Sequence, residues 1–272
     1  MVSSKNVGLA IARTVVLTVV LTVVLTMTAA LSWGQGQIII NGRASGEAPT
    51  KLGEPAPAHE LGGPWMLRAT PENRTFYLFT FSKDGPEMTP WGQEKFKEAK
   101  ASNTGAYSLD TTNDPVLARC APPGTPRVYF HPYPFEFIQT PKFTLMNFEY
   151  DHTIRRIYTD GRPIPSDPDL TWMGTSVGHW ESDHVFVVDT VGLNERTWID
   201  RAGHPHSDQL HVTERFNRID KDHLQIEITM TDPKAFVKPW KSSIFNAEQR
   251  PKWELGEISC SGDYLDFSKF EK

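Results

Sequence analysis

Along residues 209–218 apolar and polar side chains alternate, with a glutamate among the apolar positions. Leu210, Val212, Glu214 and Phe216 fall on one face, and His211, Thr213, Arg215 and Asn217 on the other. This is the two-residue period of a strand with one side buried. Similar runs predict strands over Phe76–Phe81, Arg127–Phe130, Phe135–Thr140, Phe143–Tyr150, Thr153–Thr159, Ser176–Glu181, His184–Val191, His223–Thr231, Ser242–Ala247 and Trp253–Ser259. Short polar turns such as Asp151-His152, Glu181-Ser182-Asp183 and Asp220-Lys221-Asp222 join several of them, and strands joined so tightly pair antiparallel. One helix is expected near 90–100, with Thr89 as N-cap and Pro90 at its first position. The expected fold is mainly β: an antiparallel meander closing into a barrel or a strongly curved sheet.

Phase along the strands nominates interior polar groups. Glu214 shares the apolar face of its strand, and a carboxylate there needs a partner. The series Phe143, Leu145, Asn147, Glu149 and the series Ile154, Arg156, Tyr158 would bring a second carboxylate and a guanidinium inward, although the opposite face of the first (Met146, Phe148, Tyr150) is equally apolar. A polar pocket in an apolar shell is the usual form of a small-molecule site, so Glu149, Arg156 and Tyr158 are candidate ligand-binding residues. His131, at an expected barrel rim, is another.

The other chemistry lies in Gly203-His204-Pro205-His206. In extended backbone the two imidazoles would project together. Three readings stay open. One histidine could act as a general acid–base, oriented by Asp200 or Glu214. His204 and His206 with Glu214 or Asp208 could bind a metal. Or the imidazoles only cap a turn while Glu214 pairs with an arginine. Neither a metal nor a cofactor is the preferred expectation. Gly174-Thr175-Ser176-Val177-Gly178 fits the G-x-S-x-G spacing, but a strand rather than a helix is expected after Ser176, so it is no nucleophile elbow. The eight tryptophans are expected to pack in the core and at the rim.

The amino terminus changes the picture of location. Lys5 and Arg13 flank the apolar Val15–Thr26 run, and small residues follow to Gly34. This is the pattern of a secretory signal peptide over residues 1–34; an uncleaved anchor is the alternative. Residues 35–60, rich in Gly, Pro, Ala and Glu, are expected to form a flexible linker, leaving 61–272 as a single β-rich domain. Loss of Lys5 and Arg13 takes the net charge from −5 to −7, which disfavours nucleic acid and anionic lipid surfaces as partners. The two cysteines, Cys120 and Cys260, would form a disulfide in the periplasm or outside the cell.

Several longer stretches resemble a family of secreted, β-rich bacterial proteins of no established activity. They are Asn113-Asp114-Pro115 with Cys120, Pro123–Arg127, Glu136–Gln139, Arg156–Arg162, Ser176–Glu181, Thr197–Asp200, Gly203–Ser207, Glu214-Arg215, Asp232–Ala235 and Trp253–Leu255. The resemblance implies export and a β-rich fold, not a reaction. Gly-x-Trp at Gly63–Trp65 and Gly178–Trp180 is also similar to a lipocalin first strand, which suggests an architecture only. The functional expectation is an exported barrel that binds a small, partly apolar organic molecule, with no other membrane role. The alternatives are a cofactor-independent isomerase, lyase or hydrolase with a histidine–carboxylate pair, and a structural envelope protein.

Overall fold

The computed structural model describes residues 39–40, 43–44, 53–71, 73–76, 78–102 and 111–260. The expected signal peptide lies outside the described residues. The chain forms two compact units, 1–46 and 47–272. In the first, β1 (Ile39–Ile40) pairs antiparallel with β2 (Arg43–Ala44).

The second unit is a closed, mixed barrel of nine strands. Its elements are β3 (Gly63–Arg68), α1 (Pro90–Glu98), α2 (Pro115–Arg119), β4 (Phe135–Gln139), β5 (Phe143–Phe148), β6 (Thr153–Tyr158), β7 (Thr175–Trp180), β8 (Val185–Val191), β9 (His211–Arg218), β10 (His223–Thr231), β11 (Trp240–Lys241) and β12 (Phe245–Gln249). The ring runs β12-β3-β4-β5-β6-β7-β8-β9-β10 and closes where β10 pairs with β12. The short β11 adds to the far end of β10 through Met230↔Trp240. All neighbours are antiparallel except β6 and β7, which run parallel through Ile157↔Ser176 and Tyr158↔Val177. The long 159–174 connection between them permits that exception to the antiparallel meander.

Strand alternation fills the barrel with large apolar groups. Phe135 and Phe137 of β4, Phe186 and Val188 of β8, Val212 and Phe216 of β9, and Leu224, Ile226, Ile228 and Met230 of β10 all belong to one core cluster. Gly178 is required on the inner face of β7, because a Cβ there would stand 2.5 Å from Phe186 Cζ and 2.8 Å from Ile157 Cγ2.

Four expected strands differ. Residues 76 and 78–81 form turns and bends, although Phe81 is still a core residue, edge-on to Phe130 at 4.3 Å between ring centroids. Arg127–Phe130 is a 3-10 turn with all four side chains buried; a short run that is mostly apolar does not by itself distinguish a strand from a buried turn. Trp253–Ser259 contributes only the bridge between Ile258 and Tyr150. The expected Ser242–Ala247 strand starts at Phe245, because Ser242 spends its groups on the neighbouring strand: its N–H donates to Ile228 O and its Oγ accepts from Ile228 N.

The linker expected to reach residue 60 is already attached to the barrel at Gly53, whose N–H donates to Asp220 Oδ2 at 2.7 Å. Helix α1 matches expectation: Thr89 Oγ1 accepts from Gly92 N, and Pro90 opens the helix. Cys120 and Cys260 are joined in a disulfide. Among the described residues no helix is long and apolar enough to cross a membrane.

Candidate functional site

The inner face of the barrel carries a polar cluster centred on Arg155 and Glu214. Arg155 donates from Nη1 to Glu214 Oε1 at 2.8 Å, from Nη2 to Glu214 Oε2 and to Thr190 Oγ1 at 2.7 Å, and from Nε to Ser176 Oγ at 3.1 Å. Tyr129 Oη donates to Glu214 Oε1 at 2.7 Å, and Ser176 and Thr190 share a hydrogen bond of 2.9 Å. All five residues are buried. Burial, and then the charge of Glu214, push the Tyr129 phenol well above its ordinary value, so it remains a donor. Ser176 is thus a strand residue held by hydrogen bonds.

The arginine in this cluster is Arg155 rather than Arg156. In β6 Arg155 and Ile157 point inward, while Ile154 and Arg156 are exposed. In β5 the inward residues are Thr144, Met146 and Phe148 rather than Phe143, Leu145 and Asn147. A one-residue difference in phase moves a whole strand face, and both faces of β5 and β6 carry apolar groups that could have been the buried set. Arg156 lies over the Phe143 ring at 4.9 Å, and Arg162 covers Tyr158 at 3.7 Å. Glu149 is buried beyond the end of β5, where it accepts from Gly256 N at 2.7 Å. His131 stacks on Tyr150 at 3.7 Å, with Nε2 buried and without a hydrogen-bond partner among the described residues. Burial, then Arg127 and Arg201, hold its imidazole well below its ordinary range. The four expected ligand-binding residues therefore do not meet in one pocket.

A second polar region lies where α1, α2 and the 195–207 loop come together. Thr89 fixes the start of α1 to the 232–236 turn, its N–H donating to Ala235 O at 3.0 Å and its hydroxyl to Lys234 O at 2.6 Å. At the other end Asn113 accepts from Lys100 N at 2.7 Å and donates to Glu98 O at 2.9 Å. Asp114 caps α2 and pairs with buried Arg127, which also donates to Asp200 O at 3.3 Å. The loop closes on itself where Ile199 N donates to His204 O at 2.8 Å. Asp200 Oδ1 accepts from the backbone of Ala202 at 3.0 Å and of His204 at 3.3 Å, a side chain mimicking a turn. Gly203, at φ +96°, lets the end of α1 approach: a Cβ there would lie 2.6 Å from Ala99 Cβ.

This loop sends its two histidines to different partners. His204 Nδ1 donates to Asp200 Oδ2 at 2.7 Å; its ring stacks on Phe96 at 4.7 Å and meets Trp240 at 4.9 Å. His206 Nδ1 lies 3.1 Å from Ser207 O, and its Nε2 lies 3.1 Å from Thr197 Oγ1. A carbonyl only accepts, so Nδ1 carries the proton. In the neutral ring Nε2 is then bare and accepts from the Thr197 hydroxyl. Burial lowers the His206 pKa, opposed by Ser207 O and by the charges of Asp232 and Glu195. Ser207 is itself held by Asp232, through N–H at 2.6 Å and Oγ at 2.8 Å.

Beside Thr197 and His206 opens a cleft of about 310 Å³. Trp91 and Trp198 supply aromatic walls, and Lys95, Glu98, Glu195 and Lys234 supply charge. The charges are partnered: Lys95 with Glu98 at 3.0 Å, and Lys234 with Glu195 at 4.0 Å while its ammonium lies 4.8 Å from the Trp91 ring centroid.

Of the expected catalytic set the structure brings His204 to Asp200, sends His206 to the cleft, and keeps Glu214 inside the barrel with Arg155. Among the described residues no three His, Cys, Asp or Glu side chains are grouped to hold a metal, so His204, His206 and Glu214 do not form the metal site considered from sequence. Thr197, Lys234, Trp91 and Trp198 were not singled out as site residues. The signal that could have found three of them is that Thr197, Trp198 and Lys234 lie in Thr197–Asp200 and Asp232–Ala235, two of the stretches likened on sequence to secreted β-rich proteins. Comparison of the chain with protein-family models, curated proteins and solved structures finds no match, so the functional reading rests on the geometry of this corner.

Proposed function

We propose that the protein is an exported binder of a small, partly apolar organic molecule, and that the molecule occupies the cleft beside the barrel rather than the barrel interior. One observation carries the reading: stretches far apart in sequence converge on the cleft. Asn113, Thr197 and Trp198, Pro205 and His206, and Lys234 all line it. The interior is occupied instead by aromatic rings and the Arg155–Glu214 pair. Two indoles favour a ligand with a flat apolar part, and the flanking lysines and glutamates favour polar groups at its edge. Export rests on the N-terminal pattern, and the disulfide fits an oxidising compartment.

The test is a fragment screen of small aromatic acids, amides and esters, read by intrinsic fluorescence and by crystal soaking. The expected hits quench fluorescence in the wild type, lose at least about tenfold in affinity in Trp91→Ala, and lie between Trp91 and Trp198, since losing one well-packed aromatic contact costs roughly 1.4 kcal/mol or more. Hits confined to the barrel interior, or binding unaffected by Trp91→Ala, would overturn the placement.

A further inference from the structure

We infer that Thr197 is a nucleophile and His206 its general base, and that the cleft accepts small esters for acyl transfer to water. The inference rests on the cleft as the binding site and goes beyond binding.

Three geometric facts support it. The Thr197 hydroxyl donates to a nitrogen whose bare state is fixed by the Ser207 carbonyl on the other side of the ring. A hydroxyl already aimed at a base is the arrangement that activates a weak nucleophile. The third group that orients the base is here a main-chain carbonyl, immobilised because Asp232 holds both the N–H and the hydroxyl of Ser207. Finally, Thr197 and His206 both line a cleft large enough for a small acyl compound, with two indoles as walls and Lys234 as a positive charge in the same space. Near the reacting carbonyl, that charge would favour a developing oxyanion. Neither the barrel cluster nor the His204–Asp200 pair combines a hydroxyl–imidazole contact with a lined cleft.

The step balances without a cofactor. Thr197 Oγ forms a bond to the ester carbonyl carbon as its proton moves to His206 Nε2. The carbon–alkoxy bond then breaks, and the proton on Nε2 passes to the departing oxygen. Water, deprotonated by the same nitrogen, attacks the threonyl ester and restores the hydroxyl.

The probe is p-nitrophenyl acetate, used on the full exported protein with its disulfide intact. The expected result is a burst of p-nitrophenolate near one equivalent, with an acetyl group located on Thr197 by peptide mass spectrometry. Thr197→Val should abolish the burst, Thr197→Ser should retain it, and His206→Gln should slow it by about 100-fold or more, the usual worth of a general base. Circular dichroism and the melting temperature establish that each variant is folded; if His206→Gln does not fold, the valine and serine pair decides. No burst, acetyl found only on Lys95 or Lys234, or equal bursts from the wild type and Thr197→Val overturns the inference. Binding of the non-hydrolysed p-nitroacetanilide is measured alongside. If it binds the wild type and loses affinity in Trp91→Ala while Thr197 stays unacylated, the nucleophile falls and the binding site stands. If it does not bind and Thr197 stays unacylated, both fall.

Discussion

The barrel interior and the cleft corner both bury polar side chains, yet they differ in what lies beside those side chains. In the interior, Arg155 directs Nε, Nη1 and Nη2 to Glu214, Thr190 and Ser176, with Tyr129 Oη also donating to Glu214 Oε1, and the surroundings include phenylalanine rings. In the corner, Thr197 and His206 are equally well bonded but border a cleft. A satisfied polar cluster packed on every side holds a structure in register, whereas the same satisfaction next to a lined cleft leaves groups positioned for a guest. Burial of charge alone therefore does not locate the site. Glu214, a fully buried carboxylate that sequence could nominate, belongs to the framework.

The strongest way to break this contrast is to remove one partner of the interior pair. Glu214→Gln leaves the Arg155 guanidinium buried without its counter-charge and should cost about 3–5 kcal/mol in urea unfolding. The double variant Arg155→Met with Glu214→Leu should recover most of that loss, since apolar replacement of a whole buried pair is often neutral. Ligand binding in the folded double variant should be unchanged. A stable Glu214→Gln protein that no longer binds would instead move the site into the barrel.

Next in size is the disulfide. Cys120–Cys260 closes a separation of 140 residues, and Cys260→Ser should lower stability by about 2–4 kcal/mol. The effect should fall unevenly on the two regions. Cys120 follows α2 directly, α2 is capped by Asp114, and Asp114 holds Arg127 against the Asp200 carbonyl. Hydrogen exchange in the variant should therefore rise over 113–120 and 195–206 before it rises in β8, β9 and β10. Uniform acceleration would mean that the corner is no more dependent on the bridge than the barrel.

How far the sequence could foresee each region follows from the signal each one uses. The barrel strands declare themselves by alternation, and β9, whose other face (His211, Thr213, Arg215, Asn217) is polar throughout, has only one sensible phase although Glu214 and Arg218 go inward with Val212 and Phe216. β5 and β6 are nearly as apolar on both faces, so Arg155 and Arg156 were interchangeable until the neighbours were known. Leu78, Phe81, Val128, Tyr129 and Phe130 are apolar because they join the core from turns, not because they lie on strands. The corner is harder still. Its contacts join Thr197 to His206, Ser207 to Asp232 and α1 to Lys234, each set by tertiary closure rather than periodicity. The His-Pro-His sequence located the region, but it also suggested two imidazoles acting together. In the structure the His204 ring goes to Asp200 and the His206 ring to Thr197.

A smaller effect comes from the acidity of two buried histidines. The pKa values of His131 and His206 are both lowered by burial, that of His131 further. Each binds its proton less readily in the folded chain than in the unfolded one. Their neutral forms therefore contribute fully above the ordinary imidazole value near 6.5, and the contribution fades as pH falls from there toward the folded values. Melting temperature should drop between pH 7 and 5, and His131→Gln should flatten part of that slope. If Thr197 acts as a nucleophile, its acylation should persist to lower pH than an exposed histidine would allow, because His206 remains a neutral base there.

The least effect is expected from the residue next to the most consequential one, and it tests the strand phase on which the whole contrast depends. Arg156 is exposed on the outer face of β6, where its guanidinium rests over the Phe143 ring; an exposed cation–π contact is worth about 0.5–1 kcal/mol at most. Arg156→Ala should shift the unfolding midpoint by no more than that, close to the range for an ordinary surface change. Arg155→Ala, one position earlier, leaves Glu214 buried without its cation and removes the donors on which Ser176 and Thr190 are arranged. It should cost several-fold more and resemble Glu214→Gln, and the double-mutant cycle of Arg155 with Glu214 should show strong coupling where that of Arg156 with Glu214 shows none. Comparable losses from Arg155→Ala and Arg156→Ala would mean that β6 presents the other face to the interior. In that case Arg156 would be the partner of Glu214, and the contrast between a packed interior and a cleft corner would fail.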